Sequence, residues 1–285
     1  MIKLCAFSDE ASPSLDGQIK ALLRNEIYYT ELRGVDGVNV ADLTDEKAVE
    51  IQKKLTENGI SVWSLGSPYG KVSLSDNFSK EKLFYQLDRL CSLCKIFKCD
   101  KIRVFSFYNA YDKKEKVFDL LKKSVEIAGK YGVELYHENE KEIYGEKAEQ
   151  VLELKENVPG LKFVYDPANF LQAEQKADET LEKIYPIASY FHIKDLISAT
   201  GELVPAGHGD GKIAEILKKI DFDTTLTVEP HLAVFSGYEK IDGREMKNKY
   251  KYKSNDEAFE AAVSALKKLL TDTGYKYENG GYYRA

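Results

Sequence analysis

Four residues able to bind a metal or move a proton stand at the ends of short apolar runs in the second half of this chain. Glu138 closes VELYHE, Asp166 closes LKFVYD, His192 ends ASYFH and Glu229 ends LTVE. A solvent-exposed carboxylate needs no such lead-in, whereas an inward-facing one at the tip of a buried strand does. Taken singly, each has a plainer explanation: a helix cap, a salt bridge or a satisfied core histidine. Together they are three carboxylates beside one imidazole, a group that would repel itself unless a cation joined it. A mixed oxygen and nitrogen set suits one divalent metal ion, Mn²⁺, Mg²⁺, Co²⁺ or Zn²⁺. The lack of thiolates argues against a structural zinc site.

For these groups to meet, the runs that carry them must be strands with a shared end. Short β-type runs lie at 2–7, 28–33, 61–66, 100–107, 133–138, 161–166, 189–195 and 224–229, and an amphipathic helical segment follows each. Gly59 and Gly132 stand just past two of those helical segments, as helix stops do. Strict alternation implies parallel strands joined by right-handed crossovers. Eight units imply closure into a single (β/α)₈ TIM barrel over residues 1–285, ahead of an open doubly wound sheet. In a barrel the C-terminal strand ends share one funnel, which is where the four residues fall. The longest irregular stretch, 233–254, follows the last strand and is a candidate lid over that funnel, or equally a solvated basic loop. The tail YKYENGGYYRA is expected to pack across the barrel or against a neighbouring subunit of a homo-oligomer.

The bulk composition narrows the function. The chain has 285 residues, 43% of them hydrophobic, and a formal net charge of -6, which argues against nucleic acid as a partner. No stretch approaches the roughly 20 apolar residues of a membrane helix. The opening MIKLCAFSDE turns acidic too early for a secretory leader. Cys91 and Cys94 fall in step with Leu87, Leu90 and Phe97 on one apolar helix face, and no second CxxC accompanies them. Buried thiols are therefore expected rather than a zinc site, and reduced cysteines fit a cytoplasmic location.

Seven short pieces carry a resemblance: ELRGVDG at 31–37, GSPYGK at 66–71, HEN at 137–139, YDPAN at 165–169, HIKD at 192–195, PAGHGDG at 205–211 and TVEPH at 227–231. In their order and their strand-end placement, the chain resembles the sugar phosphate isomerase/epimerase superfamily, the xylose isomerase-like barrels, over nearly its whole length. The resemblance implies one divalent ion held by Glu138, Asp166, His192 and Glu229. It also implies that Glu138 and Glu229 exchange the proton beside a ketose carbonyl. A metal stabilises the charge that develops on the carbonyl, contributing several kcal/mol, while one carboxylate acts as base and a second as acid.

Arg33, Arg103, Lys194 and Asp195 are candidates for holding substrate hydroxyls or a terminal acid, and equally for salt bridges at the barrel mouth. His208, between glycines, either reaches the pocket or stays on the surface. One departure matters: several members of the superfamily carry a substrate-contacting His three residues after the strand-six Asp, where this chain has Asn169. Asn can hold a hydroxyl but cannot shuttle a proton near neutral pH. The expected activity is that of a metal-dependent sugar isomerase or epimerase with a small carbohydrate substrate. The alternative is a metal-dependent lyase or dehydratase acting on a keto-sugar, keto-inositol or 3-keto-glycoside. A DNA-repair nuclease like endonuclease IV needs many histidines, and this chain has four: His137, His192, His208 and His231. A non-catalytic barrel has no reason to keep all four ligand types.

Overall fold

A computed structural model describes residues 1–75, 77–235 and 246–284. Eight parallel strands form its centre: β1 (Ile2–Ala6), β2 (Tyr29–Leu32), β3 (Ser61–Gly66) and β4 (Lys101–Val104), then β5 (Glu134–Glu138), β6 (Lys162–Tyr165), β7 (Ala188–Ile193) and β8 (Thr224–Val228). Each pairs with the next, and β8 returns to β1 with Val228 opposite Ala6, so the ring closes as a TIM barrel. The outer layer is α1 (Leu15–Arg24), α2 (Asp45–Glu57), α3 (Lys80–Phe97), α4 (Lys114–Lys130), α5 (Ala148–Asn157), α6 (Pro167–Gln172), α7 (Ala177–Ile184), α8 (Ile213–Lys219) and α9 (Asn255–Asp272). Ser14, Thr44, Ser79 and Ser254 cap four of these helices, each side-chain oxygen accepting a backbone N–H from the first turn. None of the helices among the described residues is long and apolar enough to cross a membrane.

The period-two alternation of the strands sorts side chains between barrel interior and helix layer. Phe163, Phe191 and Leu226 join the apolar layer under the helices, together with Cys91 and Cys94 of α3. Burial pushes the Cys91 thiol up to about 12, which leaves it unreactive. Inside, Trp63, Tyr136 and Tyr190 meet edge to face, with ring centroids 5.4 and 6.4 Å apart. They form an aromatic floor, and Tyr190 lies 5.5 Å from the ring of His192 above it.

Three local departures from the sequence reading shape that mouth. β4 stops at Val104 because the loop after β3 pairs with the chain beyond it, Phe105 N–H donating to Tyr69 O at 2.8 Å and Phe107 N–H to Gly70 O at 3.0 Å. Gly70 has φ +88° and a side chain there would begin 2.1 Å from Phe105 O, so the approach requires glycine. Asp166 does not only end a strand. Its carboxylate also accepts the Asn169 N–H, and with Pro167 in the first turn it starts the short helix α6. β7 ends at Ile193, and Asp195–Ile197 forms a separate two-stranded ribbon with Glu202–Val204.

The tyrosine-rich tail folds back on its own barrel. Strands β9 (Tyr275–Glu278) and β10 (Gly281–Arg284) form a hairpin that meets β1 at Ile2, away from the mouth. Its turn residues Asn279 and Gly280 have φ +49° and +82°, the pair of positive angles a tight type I′ turn needs. Of the candidate lid, 236–245 lies outside the described residues. Its two flanks are anchored at the mouth: the Phe235 ring lies 5.4 Å from that of His231, and Asn248 Nδ2 donates to His231 O at 2.7 Å.

Candidate metal centre and active site

The strand ends bring Glu138, Asp166, His192 and Glu229 together, with one ligand atom from each within 4.8 Å of all the others. All four are buried, none more than 2% exposed. His192 Nδ1 lies 2.9 Å from Glu138 Oε1 and 3.0 Å from Glu229 Oε2, so two carboxylates converge on a position that can hold one proton. Among the described residues, Oδ2 of Asp166 and Oε2 of Glu229 receive no well-aligned hydrogen bond. Their neighbours are the cationic groups of Lys194, at 2.9 Å, and His192. A divalent ion fits this donor set. Convergent carboxylate oxygens, an imidazole nitrogen and acceptors without donors are what such an ion satisfies.

Glu31, absent from the sequence reading as a site residue, completes the centre. It sits in β2, 1% exposed, and its Oε2 lies 3.1 Å from His192 Nε2 and takes a hydrogen bond from Thr227 Oγ1. Its Oε1 takes one from Tyr190 OH. An acceptor on Nε2 keeps the proton there and leaves Nδ1 as the nitrogen that would face a metal, and it also fixes the plane of the ring. The signal was present in YTELR, a carboxylate at an inward position of a strand that has no solvent to face. Glu31→Gln is expected to weaken Mn²⁺ binding about 10–100-fold with little loss of folded protein, as titration calorimetry would measure. Unchanged affinity would reduce Glu31 to a packing residue.

Of the other expected site residues, Arg103, Arg33, Lys194 and Asn169 reach the centre. Arg103 donates to Glu138 Oε2 at 2.6 Å, and Asn169 Nδ2 to Glu138 Oε1 at 3.2 Å. Arg33 donates to Glu229 Oε1 at 2.9 Å and spends its remaining N–H groups on Asp9 and Glu10. Lys194, paired with Asp166, is held above its ordinary range: burial pushes it down, but Asp166 and Glu229 outweigh that.

Two residues do not reach it. Asp195 accepts the backbone N–H groups of Leu196 and Gly211 on Oδ1 and of Gly207 and Gly209 on Oδ2, which fills its acceptor sites. It shapes the loop and has no capacity left for a substrate. His208 is exposed, its ring 6.2 Å from that of Tyr250, because the same glycines that wrap Asp195 carry it outward.

A second buried set, Glu10, Glu229 and His231, also draws within ligand distance. Here a cation is built in: Arg33 bonds Glu10 and Glu229 at 3.2 and 2.9 Å, so no added ion is called for. His137, despite its place beside Glu138, points the other way. Its Nε2 pairs with Ser106 Oγ at 2.8 Å, and burial pushes it down to about 3, so it stays neutral.

The metal-free centre has a definite pH signature. For His192, burial favours the neutral ring, but Glu138 and Glu31 outweigh it and hold the imidazole well above its ordinary range. Burial, together with Glu138 and Glu229, raises Asp166 to about 6 against the pull of Lys194. A group raised on folding contributes stability below its unfolded pKa, about 6.5 for His and 3.9 for Asp, and loses it as pH climbs through the folded value. Stability of the chelated protein should therefore fall between about pH 4 and 6 as Asp166 loses its proton, and again above about pH 6.5 as His192 does. Metal must displace those protons, so its affinity should rise over the same window. Melting temperatures in EDTA and in Mn²⁺ should diverge from pH 5.5 to 8.5, and a constant gap would contradict this.

The barrel and this mouth define the class. The chain belongs to the family described as "Xylose isomerase-like TIM barrel", which it matches over residues 26–269. No curated protein sequence is significantly similar to it. Solved structures are similar in fold. The probable 3-DHS dehydratase AsbF from Bacillus anthracis superposes with a TM-score of 0.71 at 18% identity, covering 94% of this chain and 99% of that one. The IolI protein, solved with a bound zinc atom, gives 0.72 at 16% identity, with 95% and 99% covered. An L-ribulose 3-epimerase gives 0.72 at 16%, with 96% of each chain covered.

Proposed function

We propose that the chain is a divalent-metal-dependent sugar isomerase or epimerase that moves a proton at the carbon beside a carbonyl of a ketose or related polyol. The observation that carries this reading is a pair of buried glutamates, Glu138 and Glu229, flanking His192 Nδ1, each with its other oxygen tied to an arginine. A cation held by Glu138, Asp166, His192 and Glu229 supplies Lewis-acid stabilisation of charge on the substrate's carbonyl oxygen, worth several kcal/mol. The two glutamates supply the proton transfers.

Burial alone would favour their protonated forms, but it is outweighed. His192 and Arg103 hold Glu138 at about 2, and Lys194 and His192 hold Glu229 well below the carboxylate range. Both are therefore ionised at neutral pH, so either can take the substrate proton as base and, carrying that proton, give it back as acid. Among the described residues, Asn169 Oδ1 is buried without a partner, an acceptor that a substrate hydroxyl would satisfy. The fold neighbours, which include a 3-epimerase, and a cavity of about 240 Å³ beside Arg33 and Arg103 support a single small carbohydrate as substrate. The free cysteines support a reducing, cytoplasmic location.

A second reading, a lyase or dehydratase on a keto-sugar, keto-inositol or 3-keto-glycoside, draws on Asn169. With no proton-shuttling side chain there, departure of a β-leaving group after proton loss competes with reprotonation. Incubation with ketoses in D₂O and Mn²⁺ separates the two. Deuterium at the α-carbon of an otherwise intact or epimerised sugar is the expected result. Loss of a leaving group from keto-glycosides or inososes would favour the lyase, and neither outcome would remove both.

A further inference from the structure

At the end of the barrel opposite the mouth, α1, α2 and α4 stop in the same way before the next strand begins. A residue with positive φ (Glu26, Gly59 or Gly132) ends the helix, and the residue after it donates its N–H back five positions. Ile27 donates to Leu22 O at 3.0 Å, Ile60 to Leu55 O at 2.9 Å and Val133 to Ala128 O at 3.1 Å. This closure brings the two side chains it joins together, and in these three helices both are apolar and buried. α3 stops identically, at Lys98 with φ +55°, and Cys99 N–H donates to Cys94 O at 3.1 Å. Here the paired positions hold two thiols.

That hydrogen bond, with the covalent geometry on either side of it, keeps the two α-carbons within about 7 Å, the reach of a disulfide. Cys99 first, then burial, then Cys91 hold the Cys94 thiol well above its ordinary range, as a second sulfur packed against it would. Cys94 is fully buried, its thiol turned to Lys101 O at 3.9 Å, whereas Cys99 is half-buried and reached by solvent. The other two cysteines, Cys5 and Cys91, are fully buried. Among the described residues, no third ligand joins Cys94 and Cys99 in a metal-binding group.

We propose that Cys94 and Cys99 form a reversible thiol–disulfide site, oxidised by a low-molecular-weight disulfide such as oxidised glutathione. The Cys99 thiolate attacks one sulfur of that disulfide, and a glutathione thiolate leaves. Cys94 then gives up its proton and attacks Cys99 Sγ, which forms the Cys94–Cys99 bond and releases the second glutathione. Two protein thiols are oxidised, and one glutathione disulfide is reduced to two thiols. Disulfides of a reducing compartment are transient bonds of this sort. The bond staples the end of α3 to the chain entering β4, so an oxidant changes the stability of the barrel from the end remote from the metal centre. It is independent of the reaction at the mouth.

The test is incubation of the folded, full-length protein with oxidised glutathione, then alkylation and mass spectrometry of intact protein and unreduced peptides. Two of the four thiols should disappear, fragmentation should join Cys94 to Cys99, and dithiothreitol should restore all four. Cross-linking so short a loop should also raise the melting temperature by a few degrees. Cys91→Ser should form the same bond, while Cys94→Ser should stop with a single glutathione on Cys99. A Cys91–Cys94 bond, a bond between two chains, or a lasting glutathione adduct on Cys99 of the unaltered protein would overturn the proposal. So would four unreacted thiols in the folded protein, or a melting temperature that the bond lowers or leaves unmoved. If a variant fails to fold, the peptide map of the unaltered protein decides.

Discussion

Glu138→Gln is expected to keep most of its bound metal and to lose about 10²–10⁴-fold in turnover, the usual loss when a positioned base is removed. The substitution preserves the size of the side chain and one oxygen donor. Asp166, His192 and Glu229 remain to hold the ion, drawn together as they are within 4.8 Å. What disappears is the ionised carboxylate that His192 and Arg103 maintain at about 2 against the effect of burial. Metal content by mass spectrometry and solvent deuterium exchange, measured on one preparation, should therefore part company. Full activity with metal bound would make Glu138 a ligand only and move the base to Glu229.

His192→Ala should instead lose metal, activity and stability together. His192 lies against Glu138, Glu229 and Glu31 at 2.9, 3.0 and 3.1 Å, so truncation leaves three buried carboxylates without their shared cation. Breaking a buried pair of this kind costs about 3–5 kcal/mol. For a chain of this size that is a melting temperature roughly 10 °C lower in EDTA, where no metal confounds the comparison. His208→Ala is the control, since that ring is exposed and its removal should move neither metal content nor melting temperature. Equal behaviour of the two variants would dissolve the proposed centre.

The amino-acid sequence determined the barrel and most of the candidate metal centre, because both are written in local patterns. Period-two runs, helix-period runs and glycine stops act over a few residues, and eight repeats in strict order leave little room for another topology. Strand tips in a barrel share a mouth, so Glu138, Asp166, His192 and Glu229 could be found by asking which polar residues end the runs. The Asn279–Gly280 pair went unread, although Asn-Gly is a hairpin-turn signal and the tail does form a hairpin there. Tertiary structure decided which side chains partner which. Glu31 meets His192 across 161 residues and Arg33 meets Glu229 across 196, and nothing near either residue announces the other. Asp195 looked like a pocket residue because it ends a strand run, and His208 because it sits in a glycine-rich loop. Only the folded path of that loop turns one carboxylate onto four backbone N–H groups and carries the imidazole into solvent. Local patterns specify elements through short-range geometry. The pairing of buried charges depends on which strand ends the closed ring makes neighbours, and on the low-dielectric mouth that forces each charge to find a partner there.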